Sequence, residues 1–425
     1  MVYNILDYGA IGDGKTLCTS AIQSAIDECN KNGGGRVLVP SGRFYSGTVY
    51  LKDNVELHLE HGALLIASAD IDDYNADDAY PQNWGSDDEE WRGKHLIIAL
   101  ECHNVAITGL GVIDGNGDSY RAAPVPAPSY AYGWMFGYSF VKDKEKKRPG
   151  QLICFIECTD VYVEGITIKN APCWCVYLYG CEYVRVTRIQ VFNGKTDLNT
   201  DGIDIDCCRF VTVSDCNIQT GDDAITFRCS SAKLKNKRPC EFVTVTNCNL
   251  AVSASAFRIG VGTGYLRHVR VSNITIARAG NALHFMTSYK GKGESHIDDV
   301  SFTNISADKV SSPIKIEGQT AEIKNIVVDN MRANCIAAIR VIPTEKCVVS
   351  NVQLRNIEMY VQKEDREITE QNILKRGNHM VEINGADDVL LENVRVFAED
   401  AVLPLWKSKF NDENSKNVIR RNCNF

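Results

Sequence analysis

The sequence predicts an all-β chain wound as a right-handed, single-stranded parallel β-helix, with a helix capping its N-terminal end. Three observations carry that expectation: a short alternating segment recurs from about residue 105 onward, its copies are spaced widely and unevenly, and one amphipathic helical stretch precedes them. The copies are VAITGLGV from Val105, VYVEGITI from Val161, VRVTRIQV from Val184, VTVSDCNI from Val211, VTVTNCNL from Val243 and VRVSNITI from Val269. They continue with VSFTNISA from Val300, IVVDNMRA from Ile326, VQLRNIEM from Val352, VLLENVRV from Val389 and VIRRNCNF from Val418. From Val161 the starts lie 23, 27, 32, 26, 31, 26, 26, 37 and 29 residues apart, a loose period of the solenoid kind. Period-two alternation excludes a helical solenoid, because successive side chains show opposite faces. The long, variable gaps argue against two-residue hairpins and against a propeller, whose blades are more regular. Coils of three short strands joined by turns of unequal length accommodate them.

Taken from the N-terminus, the first element is TSAIQSAIDECNKNGGG, Thr19 to Gly35. It places Ala21, Ile22, Ala25, Ile26 and Cys29 at helical spacing and ends at a glycine run, so it reads as an amphipathic helix with a C-cap. It covers the first coil, where open strand edges would otherwise template aggregation. Residues 1–68 form this cap and the first coils. Segments 69–94 and 115–150 are too irregular for strands and are expected as long side loops; regular coils run from about 155 to 425 within the same single domain. Trp84, Trp91, Tyr130, Tyr132, Trp134, Phe136 and Tyr138 lie in the two loops, where such rings either stack on sugars or pin a loop to the body.

Composition narrows the function. Over 425 residues, 44% are hydrophobic and 24% charged, which excludes a disordered chain. A formal charge of -8 lacks the basic footprint that phosphate neutralisation needs, so nucleic acid is not an expected partner. No apolar stretch of about 18 residues spans a bilayer, and MVYNILDYGAIGDGKT is not of signal-peptide type. The expectation is therefore no membrane partner and a cytoplasmic chain, or a secreted one already processed. The 17 cysteines are odd in number and lack paired C-x-x-C spacing; most read as small buried hydrophobes, with Cys216 and Cys248 at matching places in two copies. Free thiols favour an intracellular enzyme acting on imported oligosaccharides.

The densest chemistry is KTDLNTDGIDIDCCRFVTVSDCNIQTGDDAITFRC. Asp201 lies in NTDG and Asp222 and Asp223 in TGDDAI, 21 positions on from Asp201. In a parallel coil this spacing sets the two motifs at one corner, roughly 4.8 Å apart along the axis. Crowded carboxylates share protons or separate their pKa values, as an acid and a base working together require. Asp222 as acid, with Asp201 and Asp223 as the water-activating pair, would suit inverting glycoside hydrolysis. Asp and Asn also serve β-helix turns by bonding their own backbone, and Asp204 and Asp206 are expected in that structural role.

These segments resemble glycoside hydrolase family 28, the polygalacturonase-like enzymes, over most of the chain. DYGAIGDGKT, GGGRVLVPSGRFYSG, LHLEHGALLIAS, ITGLGVIDGNG and RPGQLICFIECTDVYVEGITIKNAPCW precede NTDG and GDDAI in the family's order. The resemblance implies a right-handed parallel β-helix hydrolysing glycosidic bonds with inversion and without a cofactor or metal. By motif position the family's general acid falls on Asp222 and its water-activating pair on Asp201 and Asp223. Asn199 matches the motif's Asn, and Arg228 stands where the family commonly has Lys.

Two family features are missing. The Gly-His-Gly segment is replaced by SASAFRIG, with Ser255 at the His position. Arg-Ile-Lys, which grips the galacturonate carboxylate, is replaced within NALHFMTSYKG by His284 and Met286. Arg258, His284 and Lys290 are the candidate substitutes, reading either a carboxylate or the hydroxyls of a neutral sugar. As ordinary structural residues, Arg258 would pair with a turn Asp, Lys290 would be a solvated loop charge and His284 an outward strand residue. The expected function is hydrolysis of a pectin-type or related oligosaccharide, exo-acting if the long loops wall off the cleft. The alternatives are a β-helical lyase or glycosyl-transferring enzyme (fructan-type), and a catalytically silent glycan-binding solenoid. A homo-oligomer is compatible with coils that pack side by side.

Overall fold

The computed structural model describes residues 1–76, 82, 93–126, 139–143, 148–363 and 377–425. They form two compact units. The first comprises Met1–Pro126, Ser139–Asp222 and Ser230–Arg238; the second comprises Asp223–Cys229 and Pro239–Phe425. The fold is the expected right-handed parallel β-helix. In the first unit Val105, Val161, Val184 and Val211 pair in register on successive coils. In the second, Val243, Val269, Val300, Ile326, Val352, Val389 and Val418 do the same. Every one of these side chains except Val418 is buried, so the residues two positions apart build the core while those between them face outward.

The polar residue inside each copy has a geometric cause. Asn247, Asn273, Asn304, Asn330, Asn356 and Asn393 all adopt left-handed backbone, with φ between 50° and 57°, which bends one strand into the next. Asn and Asp tolerate that conformation best among residues with a side chain. Their amides then stack: Asn273 donates to Asn247, Asn304 to Asn273 and Asn330 to Asn304. Where Gly109 and Gly165 stand at the same place in the first unit, φ is 110° and 77°.

The capping helix spans Thr19–Lys31 and buries the five expected residues, Ala21, Ile22, Ala25, Ile26 and Cys29. It packs on the strands Gly35–Val39 and Val49–Leu51. None of the 17 cysteines forms a disulfide, and all but Cys423 are buried. In the first unit Cys102, Cys158, Cys181 and Cys208 each precede a register valine by three residues; the Cys102 and Cys181 backbone N–H groups donate to Cys158 and Cys208 sulfur. Burial raises the Cys158 and Cys181 thiols well above the ordinary range, which makes them packing groups rather than nucleophiles.

The expectation of an irregular loop over 115–150 needs correction. Arg121–Pro126 pairs antiparallel with Ser139–Asp143. Prolines hid this ribbon in the sequence, yet a two-stranded ribbon has only edge strands, which tolerate them. Within 69–94, Ile71–Asp73 forms one short 3-10 turn capped by the Asp70 side chain. The seven loop aromatics singled out above lie outside the described residues.

Candidate active site

In the first unit the segment between the strands Gln190–Phe192 and Ile203–Asp206 is a tied loop. Asp197 accepts from the Gly194 N–H at 2.8 Å and pairs with Arg121 at 3.3 Å. Thr200 Oγ1 donates to the Asp197 carbonyl at 2.8 Å and accepts from the Gly221 N–H at 3.2 Å. Gly221 is required by close approach: a Cβ there would lie 2.1 Å from the Asp197 carbonyl oxygen.

Asn199 sits at the loop's crest with φ 55°, and its N–H donates to Asp222 Oδ2 at 3.0 Å. Its side-chain oxygen accepts from Arg148, which also reaches the Pro172 and Leu198 carbonyls at 2.7 and 3.2 Å. Asp201 and Asp222 are each 5% exposed, and a carboxylate oxygen of one lies within 4.8 Å of one of the other. The 21-residue spacing therefore brings them together. Oxygen-only donors of this kind also suit a hard cation such as Mg²⁺ or Ca²⁺.

Asp204 and Asp206 are not turn or ladder residues. Both lie on the strand Ile203–Asp206 and are buried. Asp206 accepts from the Ser230 N–H at 2.7 Å and the Tyr177 hydroxyl at 3.2 Å, so it anchors the segment beginning at Ser230.

Asp223, the next residue after Asp222, begins the second unit. Its Oδ1 accepts from the Ser255 N–H at 2.7 Å and from Arg258 Nη2 at 3.0 Å, while Oδ2 accepts from Arg258 Nε. The structural alternative for Arg258, pairing with an Asp, is thus what the side chain does, but its partner is a candidate catalytic residue. Ser255, at the position of the absent His, contributes its backbone. Arg228 ends the strand Ile225–Arg228 and is 2% exposed.

On the next coils Arg258, His284, Lys315 and Arg340 follow in register. His284 Nε2 lies 3.2 Å from Glu317, and Lys315 Nζ 2.9 Å from the same carboxylate oxygen. Burial, with the Lys315 and Arg258 charges, pushes His284 down to about 4 against the opposing pull of Glu317. Burial acts to raise Glu317, but the His284 bond and the Lys315 charge outweigh it and hold this carboxyl well below its usual range. Met286, at the family's Lys position, accepts weakly from Arg258 through sulfur at 3.4 Å. Lys290 is exposed on a turn, with φ 51°, its ammonium 5.2 Å from the Tyr289 ring centre; the Arg258 guanidinium lies 5.9 Å from that ring.

Sequence reasoning missed Arg148, Asp197, Lys315 and Glu317. Lys315 follows His284 by 31 residues, the same step that separates Val269 from Val300, so repeat spacing alone could have placed it. A groove of about 1080 Å³ elsewhere on the first unit is lined by Arg36, Glu56, His58, Thr108, Tyr162 and Glu164. It contains neither Asp201 nor Asp222, and its polar groups satisfy one another, as in Arg36 with Glu56 and Thr108 with Glu56.

The model of glycosyl hydrolases family 28 matches residues 29–332. The chain belongs to that family. A probable polygalacturonase of Vitis vinifera is 30% identical over 230 residues, covering 53% of this chain and 44% of that protein. An exo-poly-α-D-galacturonosidase of Dickeya chrysanthemi is 30% identical over 275 residues, covering 56% and 43%. The chain thus spans less than half the length of these two relatives. The family 28 exopolygalacturonase of Yersinia enterocolitica superposes over 100% of this chain and 78% of its own with a TM-score of 0.73; at 20% identity this is a likeness of fold. No helix among the described residues is long and apolar enough to cross a membrane.

Proposed function

We propose that the protein is a glycoside hydrolase that cleaves a pectin-type oligosaccharide by general acid/base catalysis. The observation that carries the proposal is the buried approach of Asp201 to Asp222 within 4.8 Å in a chain of this family. Two carboxylates so close share a proton more readily than they carry two charges. Asp222 gives its proton to the glycosidic oxygen as the C–O bond breaks. Water attacks the anomeric carbon and its proton passes to Asp201. Asp223 belongs to the same water-activating pair, but Asp201 is the member that takes the proton, because both Asp223 oxygens already accept from Arg258 or Ser255. Asn199 orients the acid through its N–H, while Arg228, Arg258, His284 and Lys290 are the residues proposed to bind the substrate. Exo action is supported by the names of the Dickeya and Yersinia proteins.

One observation favours a second stereochemical reading. The family resemblance implies inversion, for which the carboxyl groups stand about 6.5–9.5 Å apart, whereas one oxygen of Asp201 lies within 4.8 Å of one of Asp222, which is compatible with the about 5–5.5 Å between carboxyl groups of a retaining pair. Proton NMR of the first anomer released separates the two.

The deciding experiment is a reducing-sugar and mass-spectrometric screen against pectic oligosaccharides, neutral plant oligosaccharides and fructans, with Asp222→Asn alongside and EDTA in a parallel set. Hydrolysis by the native chain alone supports the proposal, and loss with EDTA would add a cation to it. An unsaturated product absorbing in the ultraviolet would mean a lyase; retention of a glycan without cleavage by either form would mean a binding solenoid. Buried thiols that form no disulfide support an intracellular enzyme, and recovery of the natural protein from culture supernatant with a processed N-terminus would sink that placement.

A further inference from the structure

The strip formed by Arg258, His284, Lys315 and Arg340 contains His284, which stands where the family's uronate clamp has Arg, yet each of its cations is already matched by a carboxylate. Arg258 is paired with Asp223, Lys315 with Glu317 at 2.9 Å and Arg340 with Glu382 at 2.9 Å. With a neutral imidazole the strip carries no net charge. The imidazole is also oriented. Only a donor can face the Glu317 carboxylate at 3.2 Å, so Nε2 carries the proton and Nδ1 presents a lone pair. That Nδ1 is buried and has no hydrogen-bond partner among the described residues, while the whole residue is only 7% exposed. A buried acceptor left without a donor is costly unless something supplies one.

We propose that this strip selects an uncharged glycosyl residue, either a neutral hexose or an esterified uronate, with His284 Nδ1 accepting a sugar hydroxyl and Glu317 fixing the imidazole for that task. The inference rests on the hydrolase reading and names its substrate class. A free uronate would bring a negative charge to a strip with balanced charges and set its oxygen lone pairs against the Nδ1 lone pair. Where the family pattern has Arg, a donor, this chain presents an acceptor, and that exchange reverses the chemistry being read. Lys315 acts through Glu317, which it holds as an anion.

Two measurements test the proposal independently of turnover. In protein labelled with ¹⁵N-histidine, with His284→Gln used to assign the signal, His284 at pH 7 is expected to show an unprotonated Nδ1 and a protonated Nε2. A protonated Nδ1 overturns the acceptor role. In the Asp222→Asn protein, calorimetric titration compares trigalacturonate, its methyl ester and a neutral galactotriose. The ester or the neutral sugar is expected to bind at least tenfold tighter than the free acid, and which of them does so identifies the source of the uncharged residue. Tighter binding of the acid, or equal binding of all three, overturns the selection. Because His284→Arg alone would pair with Glu317, the double variant His284→Arg/Glu317→Gln is the test: it leaves both the new guanidinium and Lys315 without a carboxylate and is expected to reverse the preference by at least tenfold. If the native chain hydrolyses none of these, the hydrolase reading fails while the tautomer and the binding order still decide the strip's chemistry.

Discussion

Asp222 and Asp223 are consecutive residues held by different means. Asp222 accepts from a backbone N–H in a loop tied by Asp197, Thr200 and Gly221, whereas Asp223 is gripped by the guanidinium of a residue 35 positions away. The first arrangement is local: its parts lie between Gly194 and Asp222, a stretch that holds NTDG and the start of GDDAI. The second draws on side chains of several coils, and there the chain departs from the family at Ser255, His284 and Met286. A hydrogen-bonded loop preserves catalytic geometry with little dependence on what faces it. A ladder of paired charges can be rewritten one residue at a time, provided each new charge finds a partner. On the proposed reading, chemistry is kept where backbone fixes it, and specificity is free to change where side chains do.

The sharpest break in this comparison is chemical. Asp222→Asn and Asp201→Asn are each expected to lower turnover by about 10²–10⁴-fold, the range that one general acid or base supplies, with melting temperature nearly unchanged. Retention of more than about a tenth of activity by Asp222→Asn would remove it as the acid.

Next in size is the ion pair. Arg258→Ala leaves the Asp223 carboxylate buried without its charge partner, and breaking such a pair costs about 3–5 kcal/mol. Denaturant unfolding should show this loss, with much of it recovered in the double variant Asp223→Leu/Arg258→Met, which removes both charges. Additive losses would mean that the two side chains are not energetically coupled.

In the loop region, Gly221→Ala is expected to cost stability at the upper end of the about 1–3 kcal/mol typical of overpacking, since its Cβ would meet the Asp197 carbonyl at 2.1 Å. Because the same carbonyl anchors Thr200, turnover should fall with stability. A folded variant of native activity would show that the loop adjusts freely.

Acid should separate the regions as well. The folded His284 pKa of about 4 lies below the ordinary 6.5, so between those values the unfolded chain binds the proton and the folded one does not. Stability contributed by the neutral ring is therefore present above pH 6.5 and is lost as pH falls. Between pH 7 and pH 5 the loss is about 2 kcal/mol for one such histidine. His95, likewise buried with a pKa of about 4, adds a similar amount in the first unit. His284→Gln should flatten the profile by its own share, and an unchanged profile would place the titration elsewhere.

The contrast between the regions also explains what could be read in the sequence. The register valines, the left-handed asparagines and the five buried positions of the capping helix follow from local periodicity, which the chain states residue by residue. Asp201 and Asp222 were legible together because their spacing approximates a coil. The pairing of Lys315 with Glu317, and through it the orientation of His284, was not, since alternation marks all three simply as outward residues. Arg148 lay in a segment with no repeat to place it, and the ribbon Arg121–Pro126 with Ser139–Asp143 was masked by its prolines. Position in a coil is a property of pattern, whereas the partner of a charge is a property of what the coils bring together.

The smallest effect is expected at Lys290. Its ammonium stands over Tyr289 at 5.2 Å on an exposed turn, where a cation–π contact contributes about 0.5–1 kcal/mol at most. Lys290→Ala should shift the melting temperature little, and KM shows whether the residue also meets substrate. A severalfold rise in KM with unchanged kcat would mark ordinary binding equal in ground and transition states. Should KM and kcat both stay within twofold of native, Lys290 is a solvated charge and recognition rests on the buried strip. The rise must be read with an uncharged oligosaccharide as well as an acidic one, because an exposed ammonium attracts any anion at low salt. Only an effect that survives with the uncharged substrate at 0.15 M salt assigns the side chain a place beside the sugar.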